Sequence, residues 1–196
     1  MAPTSGPTMR RRANSTSTMT KVGSRCSGNT KLLWLWVGQT PYLQALGWQR
    51  EWARRRAEGR VPNLLLLLEH PPTITYGRGS PGPELRVPLP VVQRRGVALY
   101  PADRGGRTTY HGPGQLVGYP ICHLRELGLG PRTFLERLQG ALAQVLQGWG
   151  LSATGEGPAP GLWVKGAKVA SFGLRVERWV SLHGFALNLR REALEG

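Results

Sequence analysis

The stretch Arg104–Ile121, RGGRTTYHGPGQLVGYPI, places an ionisable imidazole among residues with unusual backbone freedom. Its glycines at 105, 106, 112 and 114 can adopt positive φ and let a ligand lie against the main chain, and Pro113 fixes one turn. We therefore predict a rigid loop that presents backbone N–H groups, with His111 at its edge. A tight β-hairpin whose histidine only packs is the alternative that composition leaves open. No G-x-G-x-x-G or G-K-[ST] pattern is present, so a phosphate cradle is not predicted.

A second segment, WVKGAKVASFGLRV (Trp163–Val176), carries two of the four lysines of the chain beside a largely apolar strand pattern. A lysine that is desolvated at the end of a strand can lose its proton or hold a nearby thiol as thiolate, whereas arginine stays charged near neutral pH. Lys168 is the better candidate for such a role. A surface turn with two solvated lysines is the alternative, and the glycine that follows Lys165 favours it there.

In a third segment, SLHGFALNL (Ser181–Leu189), His183 and Gly184 interrupt a strand pattern. A glycine within a strand often marks a bulge or the close approach of a ligand. A histidine that is satisfied inside the core is the ordinary alternative, and the residues of this segment by themselves favour it.

The elements that must position these segments form an α+β pattern. Strands are predicted at 31–37, 63–69, 73–76, 97–100, 108–110, 115–121, 162–164, 168–177 and 179–187, with a proline-rich loop at 80–90. Helices are predicted at 41–60 and from a T-x-x-E capping box, Thr133 and Glu136, to Gly150. The core stripe predicted for the second helix is Phe134, Leu138, Ala141, Leu142, Val145 and Trp149. We therefore expect a mixed, largely antiparallel sheet packed with helices.

Composition restricts the class of protein. The 196 residues suffice for one domain, and 26 basic against 11 acidic residues give a net charge of +15. That surplus favours an acidic partner, although biased coding that prefers arginine is equally open. No basic stripe is interleaved with aromatic residues, so no nucleic-acid partner is expected. The longest apolar runs, Leu32–Val37 and Leu64–Leu68, are far shorter than the roughly 20 residues that span a bilayer, so no membrane role is expected.

The cysteines and the first residues bear on location. Cys26 and Cys122 form neither a disulfide framework nor a metal-ligand spacing, and they suit a reducing compartment. We therefore expect a cytoplasmic protein without a metal site. Residues 1–30 are basic and rich in Ser and Thr, so we expect a disordered tail before a folded domain at 31–196. Organelle targeting by this tail stays open, as does a start at Met9 or Met19.

Together the segments resemble the lipoyl(octanoyl) transferase family, which is similar in turn to lipoate and biotin protein ligases. RGGRTTYHGPGQ resembles the family's R-G-G-x-x-[TS]-[YWF]-H-G-P-G-Q, KVASFGLRV its K-[IV]-x-x-[IL]-G, and HGFALN its H-G-x-A-L-N. LLEHPPTITYGR, Leu67–Arg78, resembles the family's L-E-H-P-x-x-x-T-x-G-R. The match runs in the family's order from about Leu32 to Gly196, and it implies the α+β fold of the biotin and lipoate ligase catalytic domain.

The resemblance implies a reaction of lipoate biosynthesis. An octanoyl group would pass from the thioester of acyl carrier protein to a lipoyl-domain lysine through a cysteine acyl-enzyme. No ATP or other cofactor would be needed, because the thioester is already activated. The implied donor is octanoyl-acyl carrier protein, which the basic surplus would steer. The implied acceptors are the lipoyl domains of 2-oxoacid dehydrogenases and the glycine cleavage H protein.

The resemblance also implies a set of site residues. Lys168 would lower the pKa of the nucleophilic cysteine. The residues implied to line the acyl pocket and to supply donors to the acyl carbonyl are Arg104, Gly105, Gly106, Arg107, Thr108, Thr109, Tyr110, His111, Ser171, Phe172, Gly173, Gly184, Phe185 and Ala186, with His183 in a supporting position. Their backbone N–H groups would then stabilise an oxyanion.

The sequence departs from the family at the nucleophile. The family's cysteine lies in a P-C-G motif downstream of H-G-x-A-L-N, and no such motif follows Asn188, while Cys26 and Cys122 match no family position. We therefore expect a truncated chain that binds acyl groups weakly and transfers none. One alternative is an ATP-dependent lipoate or biotin ligase, against which H-G-P-G-Q argues because those enzymes have different glycine-rich loops. The other is a non-catalytic acyl-binding relative.

Overall fold

The computed structural model describes residues 21–27, 30–155, 157, 161–190 and 193, and it has an α+β architecture. In chain order the elements are β1 Lys21–Ser27, β2 Thr30–Gln39, α1 Tyr42–Ala57, β3 Asn63–Glu69, β4 Thr73–Tyr76, α2 Leu89–Arg94, β5 Ala98–Pro101, β6 Thr108–His111, β7 Gln115–Ile121, α3 Pro131–Gly148, β8 Leu162–Val164, β9 Ala167–Glu177 and β10 Val180–Asn188. The predicted fold class is confirmed, and each predicted strand has a counterpart within a few residues.

The strands form a seven-stranded sheet in the order β1-β2-β3-β7-β10-β9-β8 and a three-stranded sheet in the order β5-β4-β6. Among the described strands, β2 with β3 and β4 with β5 are the parallel pairs, and the other pairs are antiparallel. Helix α1 is the crossover that joins the parallel strands β2 and β3, because two parallel neighbours cannot be joined by a hairpin. The sheets are therefore mixed and largely antiparallel, as predicted.

Both faces of the large sheet are covered. Side chains alternate along a strand, so neighbouring residues of β3, β7 and β10 point to opposite faces. The α1 face carries the core cluster Ala45, Leu66, Leu68, Val117, Tyr119 and Ala186. The α3 face carries the cluster Leu142, Leu146, Leu162, Ala170, Phe185 and Leu187. Burial on both sides explains the unbroken leucine run of β3, since a strand between two helical layers has no solvent face.

Two predictions about α3 are wrong. The helix begins at Pro131 after Gly130, with no side-chain cap, so Thr133 lies inside the first turn instead of capping it. Proline suits the first helical position because its missing N–H would have had no partner there. The predicted core stripe is too wide, because Val145 and Trp149 are 46% and 59% exposed. The helix packs on the sheet through a narrower side, and Leu146 takes the buried position.

The described chain begins before the predicted domain boundary. Lys21–Ser27 pair with β2 in antiparallel register, so the sheet includes part of the segment that was predicted to be a tail. An unpaired edge of β2 would expose a row of backbone donors and acceptors, and β1 satisfies it. Residues 1–20 of the predicted tail lie outside the described residues. None of the described helices has the length and apolar character needed to cross a membrane.

Candidate functional site

The three motif segments converge on one cavity between the first turn of α1, the large sheet and the three-stranded sheet. The cavity has a volume of about 30 Å³ and opens to solvent at its mouth. Its lining is formed by Tyr42, Thr75, Arg104, Thr109, His111, Val117, Tyr119, Ser171, Phe172, Gly173, His183, Gly184, Phe185 and Ala186. Strand pairing brings the segments together, because Ser171 faces Ala186 across β9 and β10 and Thr75 faces Thr109 across β4 and β6.

Most of the residues that the sequence singled out line this cavity, but six do not. The residues outside the lining are Gly105, Gly106, Arg107, Thr108, Tyr110 and Lys168. Alternation along β6 explains two of them, because Thr108 and Tyr110 point away from the face of Thr109 and toward a separate surface cavity. Arg107 pairs instead with the exposed carboxylate of Glu84.

Four lining residues escaped the sequence analysis: Tyr42, Thr75, Val117 and Tyr119. Thr75 lies within the LLEHPPTITYGR segment, so the resemblance contained a signal for it. Val117 and Tyr119 belong to the apolar end of the glycine-rich stretch, where they have the pattern of core residues. Tyr42 is the first residue of α1. Its sequence context predicted only a position on the apolar face of that helix and gave no indication of a role in the cavity.

The glycines make close backbone packing possible, and one of the predicted amide donors is already occupied. The Gly105 N–H donates to the Leu174 carbonyl at 3.0 Å. A Cβ atom on Gly173 would lie 2.8 Å from the Gly105 carbonyl oxygen, so only glycine allows β9 to pass this loop. Gly106 has a φ of +84°, which an L side chain rarely adopts. Stabilisation of an acyl oxygen at this point must therefore come from other donors.

A chain of hydrogen bonds fixes the protonation of His111. Gln115 Nε2 donates to Asn188 Oδ1 at 2.9 Å, so its Oε1 faces His111 Nδ1 at 2.7 Å and that ring nitrogen carries the proton. His111 Nε2 then accepts from the Thr75 hydroxyl at 3.2 Å, and the Thr75 oxygen accepts from Arg104 Nη2 at 2.8 Å. Five side chains from β4, the 102–107 loop, β6, β7 and β10 are thereby held in one orientation.

A second buried histidine, His70, accepts a hydrogen bond from Tyr119 of the cavity lining. The sequence analysis did not propose His70 as a site residue. His70 Nδ1 lies 2.6 Å from the Thr40 carbonyl, so it carries the ring proton, and Nε2 accepts from the Tyr119 hydroxyl at 2.7 Å. Burial lowers the pKa of His70 to about 4. Burial, assisted by His70, lowers the pKa of His111 to about 3. Both rings are therefore neutral near neutral pH.

His183 is held at the cavity wall in an unusual conformation. Its φ is +58°, and its backbone N–H donates to Gln49 Oε1 of α1 at 2.8 Å. Its Nε2 lies 2.6 Å from an Asp103 carboxylate oxygen, so Nε2 carries the proton. Burial alone would raise the pKa of Asp103, but the hydrogen bond from His183 and the charge of Arg175 lower it overall. The His183 ring therefore has a hydrogen-bond partner in the core and also lines the cavity.

Arg104 brings a buried positive charge to the cavity. The residue is 8% exposed, and its hydrogen-bond partners in the described part of the chain are neutral oxygens of Thr75, Thr109 and Gly105. Burial lowers its pKa, but a guanidinium remains charged in proteins. The cavity therefore favours a ligand group that carries or develops negative charge. Within the described residues, no cluster of three His, Cys, Asp or Glu is placed to hold a metal ion.

Lys168 and Cys122 lie outside the cavity. Lys168 is half-buried on β9, three residues from Ser171 and thus about 10 Å along the strand. Burial lowers its pKa. Cys122 is packed beside Leu124 and Phe134, and burial raises its pKa to about 12, which keeps the thiol protonated. The side chain of Cys26 lies outside the described part of the chain.

Comparison with known proteins assigns this architecture. Residues 41–193 match the family described as the lipoyl protein ligase A/B catalytic domain. The octanoyltransferase of Gloeobacter violaceus is 42% identical over 153 residues, which cover 78% of this chain and 67% of that protein. The octanoyltransferase of Alkaliphilus metalliredigens is 41% identical over 154 residues, 78% of this chain and 71% of that protein.

Solved structures share the fold at low sequence identity. Lipoate-protein ligase A bound with ATP superposes with a TM-score of 0.60 at 17% identity, covering 76% of this chain and 64% of the ligase. The bipartite lipoate protein ligase of Thermoplasma acidophilum superposes with a TM-score of 0.55 at 19% identity, covering 76% of this chain and 58% of that one. The fold is therefore that of a lipoate-ligase catalytic domain.

Sequence identity to the octanoyltransferases assigns the chain to one group within the lipoate-ligase fold class. The chain belongs to the lipoyl protein ligase A/B catalytic-domain family and, within it, to the octanoyltransferases, which are acyltransferases. The predicted resemblance is confirmed.

Proposed function

We propose that the cavity binds the octanoyl group of an activated thioester and is the place where the family's transfer reaction of lipoate biosynthesis occurs. One observation carries this proposal: three motif segments line one cavity that holds the neutral His111 and the buried Arg104, which has no carboxylate partner among the described residues. Apolar wall residues such as Val117 and Phe185 suit an acyl chain, and the polar side suits its carbonyl. A lysine residue of a lipoyl domain would be the acceptor, as the family resemblance implies.

The transfer would proceed in two balanced steps. A thiolate attacks the thioester carbonyl, a new C–S bond forms, and the donor thiol leaves. The acceptor amine then attacks the enzyme thioester, an amide forms, and the enzyme thiol is released. In both steps the carbonyl oxygen gains negative charge, which the Arg104 guanidinium would stabilise. The family resemblance gives Lys168, whose pKa burial lowers, the exchange of protons with the thiol and the amine, although Lys168 lies about 10 Å along β9 from Ser171 of the lining.

The sequence holds two thiols, and neither suits this role. Cys122 is buried and protonated, and Cys26 precedes every family motif. No P-C-G motif is present among the 196 residues. We therefore expect a polypeptide of this sequence to bind the acyl group without forming a thioester. The two cysteines of the sequence form no disulfide framework, which suits a reducing compartment such as the cytoplasm.

A basic groove beside the cavity supports an acidic donor. The groove is lined by Arg50, Arg54, Arg175 and Arg178, with Asp103 and Glu177 as its acids. It adjoins the cavity through Asp103, which contacts His183 of the cavity lining. An acidic carrier protein that docks here would bring its thioester to the cavity mouth, and steering of this kind weakens as salt is added.

Binding and transfer are tested together on the purified 196-residue chain. Calorimetry should detect octanoyl-pantetheine, and mass spectrometry should detect no octanoyl adduct on the protein. Absence of binding would overturn the proposed function. An adduct that is lost in Cys122→Ala would show that the buried thiol reacts after all, and an adduct that survives this change would implicate Cys26.

An ATP-dependent ligase is the second candidate, because the solved structure with a TM-score of 0.60 is bound with ATP. Here the glycine-rich segment reads H-G-P-G-Q, and we expect no nucleotide binding. A thermal melt with and without ATP and magnesium discriminates the two candidates. An unchanged melting temperature supports the transferase, and a rise that depends on ATP concentration supports the ligase.

A further inference from the structure

The hydroxyl of Tyr42 is buried at the cavity without a hydrogen-bond partner among the described residues. Tyr42 is 3% exposed, begins α1 and belongs to the cavity lining. Its ring is fixed by a stacked contact with Tyr100 at 5.5 Å and an edge contact with His70 at 5.7 Å. A buried donor that is left unpaired costs free energy, so such groups in native proteins call for an explanation.

The other buried polar side chains of the lining are already committed, while Thr109 and Ser171 are only half-buried. The Tyr119 hydroxyl donates to His70, and the Thr75 hydroxyl donates to His111. The Arg104 guanidinium donates to neutral oxygens. The N–H of the His183 ring is held by Asp103. Tyr42 therefore carries the one buried hydroxyl of the described lining whose hydrogen remains to be given to a ligand.

The surroundings of the hydroxyl define what it would bind. Its largest electrostatic interaction is with the charge of Arg104, and the charges of Asp103 and Arg50 act on it in opposite directions. Burial raises the pKa of Tyr42 to about 12, so the phenol keeps its proton near neutral pH and can only donate it in a hydrogen bond or accept one. A donor next to an uncompensated cation matches a carbonyl oxygen, and it matches that oxygen better still when negative charge develops on it.

We propose that the Tyr42 hydroxyl donates a hydrogen bond to the carbonyl oxygen of the bound acyl thioester and, with Arg104, stabilises the oxyanion that forms when the carbonyl is attacked. This inference rests on the proposed function and adds to it the group that recognises the reacting carbonyl. No proton is transferred: the carbonyl π electrons move to oxygen on attack and return when the thiol leaves. Tyr42 is then a catalytic residue, since it touches the reacting atoms.

The test removes one oxygen atom from the protein and, separately, one oxygen atom from the ligand. Tyr42→Phe deletes the hydroxyl, and S-octyl-pantetheine, a thioether, replaces the thioester carbonyl by a methylene group. By calorimetry, Tyr42→Phe should bind octanoyl-pantetheine roughly 5- to 10-fold more weakly than the unmodified protein does, as expected for one lost hydrogen bond. Both proteins should bind the thioether equally. Infrared spectra with a ¹³C-labelled carbonyl should show a stretch at lower frequency in the unmodified protein than in Tyr42→Phe.

Stability separates this role from a structural one. Because the hydroxyl has no partner among the described residues, Tyr42→Phe should melt at the same temperature as the unmodified protein or slightly higher. Tyr76→Phe, a hydroxyl deletion on β4 outside the lining, is the matched control and should leave both affinities unchanged.

Each outcome decides one question. If the unmodified protein binds neither ligand, the proposed function is wrong and this inference falls with it. If it binds the thioester and Tyr42→Phe binds it equally, the inference is overturned while the proposed function stands. If Tyr42→Phe weakens thioester and thioether alike, Tyr42 only packs against the acyl chain, and the inference is overturned as well.

Discussion

The two faces of the seven-stranded sheet are built from the same strands but have different chemistry. The α3 face is aliphatic and aromatic, with Leu187 of β10 at its centre. The α1 face includes polar groups that are buried, among them Gln49, Arg56 and His183. Because alternate residues of one strand serve opposite faces, the α3 core and the cavity lining come mostly from different residues, although Phe185 belongs to both.

The polar groups of the α1 face are themselves of two kinds. Away from the cavity, Arg56 Nε donates to Asn63 Oδ1 at 2.8 Å, whereas Gln49 Nε2 and Trp52 Nε1 have no partner among the described residues. At the cavity, Arg104 lacks a carboxylate and Tyr42 lacks a partner within the described residues. Neither burial nor the lack of a partner marks the site by itself, and Tyr42 differs from Gln49 and Trp52 because its unmatched hydroxyl belongs to a residue that lines the cavity.

The largest expected effect is on the α3 face. Leu187→Ala removes a side chain that is 1% exposed and should lower the free energy of unfolding by about 2–5 kcal/mol. Affinity for octanoyl-pantetheine, measured under conditions where the variant is folded, should not change. Urea denaturation measures the free energy of unfolding, and calorimetry measures the affinity.

Leu43→Ala, at a 56% exposed leucine, is the control and should change the free energy of unfolding by less than about 0.5 kcal/mol. A loss of affinity in Leu187→Ala would contradict the hypothesis that the α3 face stabilises the fold without contributing to ligand binding.

A smaller loss of stability is expected in the hydrogen-bond chain of the cavity. Thr75→Val keeps the shape but removes the donor to His111 and an acceptor for Arg104, which should cost about 1–3 kcal/mol. The pKa of His111 should rise, because the lost hydrogen bond favoured the neutral ring, and ¹⁵N NMR titration measures this shift. Thr108→Val, on the other side of β6, serves as the control. An unchanged His111 titration would mean that Thr75 does not donate to that ring.

The neutral histidines predict a pH dependence. Unfolded histidines bind protons near pH 6.5, whereas His70 and His111 do so only near 4 and 3, so the unfolded state binds more protons between these limits. Stability should therefore be fully present above pH 6.5 and should fall on acidification, by up to about 1.4 kcal/mol per pH unit for each histidine.

Between pH 4.5 and 6.5 this slope should be measurable before most carboxylates titrate, since their ordinary pKa is at or below 4.5. Urea denaturation at several pH values gives the slope. His70→Gln should reduce it by the contribution of one histidine. Identical slopes in the two proteins would show that His70 is protonated in the folded state as readily as in the unfolded one.

The smallest effect is expected on the exposed side of α3. Arg132 is paired with Glu136 at 3.0 Å, but its side chain is 92% exposed. Arg132→Ala should change stability by less than about 0.5 kcal/mol, with no change in ligand affinity. Melting curves at low and high salt check this, and a loss well above that value would mean that the pair belongs to a larger network.

Local patterns predicted much of the fold and part of the site. The predicted helix at 41–60 contains α1, and the strand at 63–69 is β3, because apolar periodicity and proline breaks act over a few residues. Thr133 failed as a cap because the choice of first helical residue depended on Pro131, a competing local signal. Trp149 failed as a core residue because a stripe in sequence does not specify how much of it a sheet can cover.

The sequence by itself determined the α+β class, the family and the motif residues Arg104, His111 and His183, because these depend on residue types and short spacings. Only the tertiary structure decided that Ser171 meets Ala186, that Lys168 stays outside the cavity and that Tyr42 is left without a partner. Strand register and the packing of α1 set these relations, and both are sums of contacts between residues far apart in the chain. The local sequence around a tyrosine at the start of a helix does not depend on whether its hydroxyl has a hydrogen-bond acceptor in the folded protein. The sequence therefore could not have predicted the role of Tyr42.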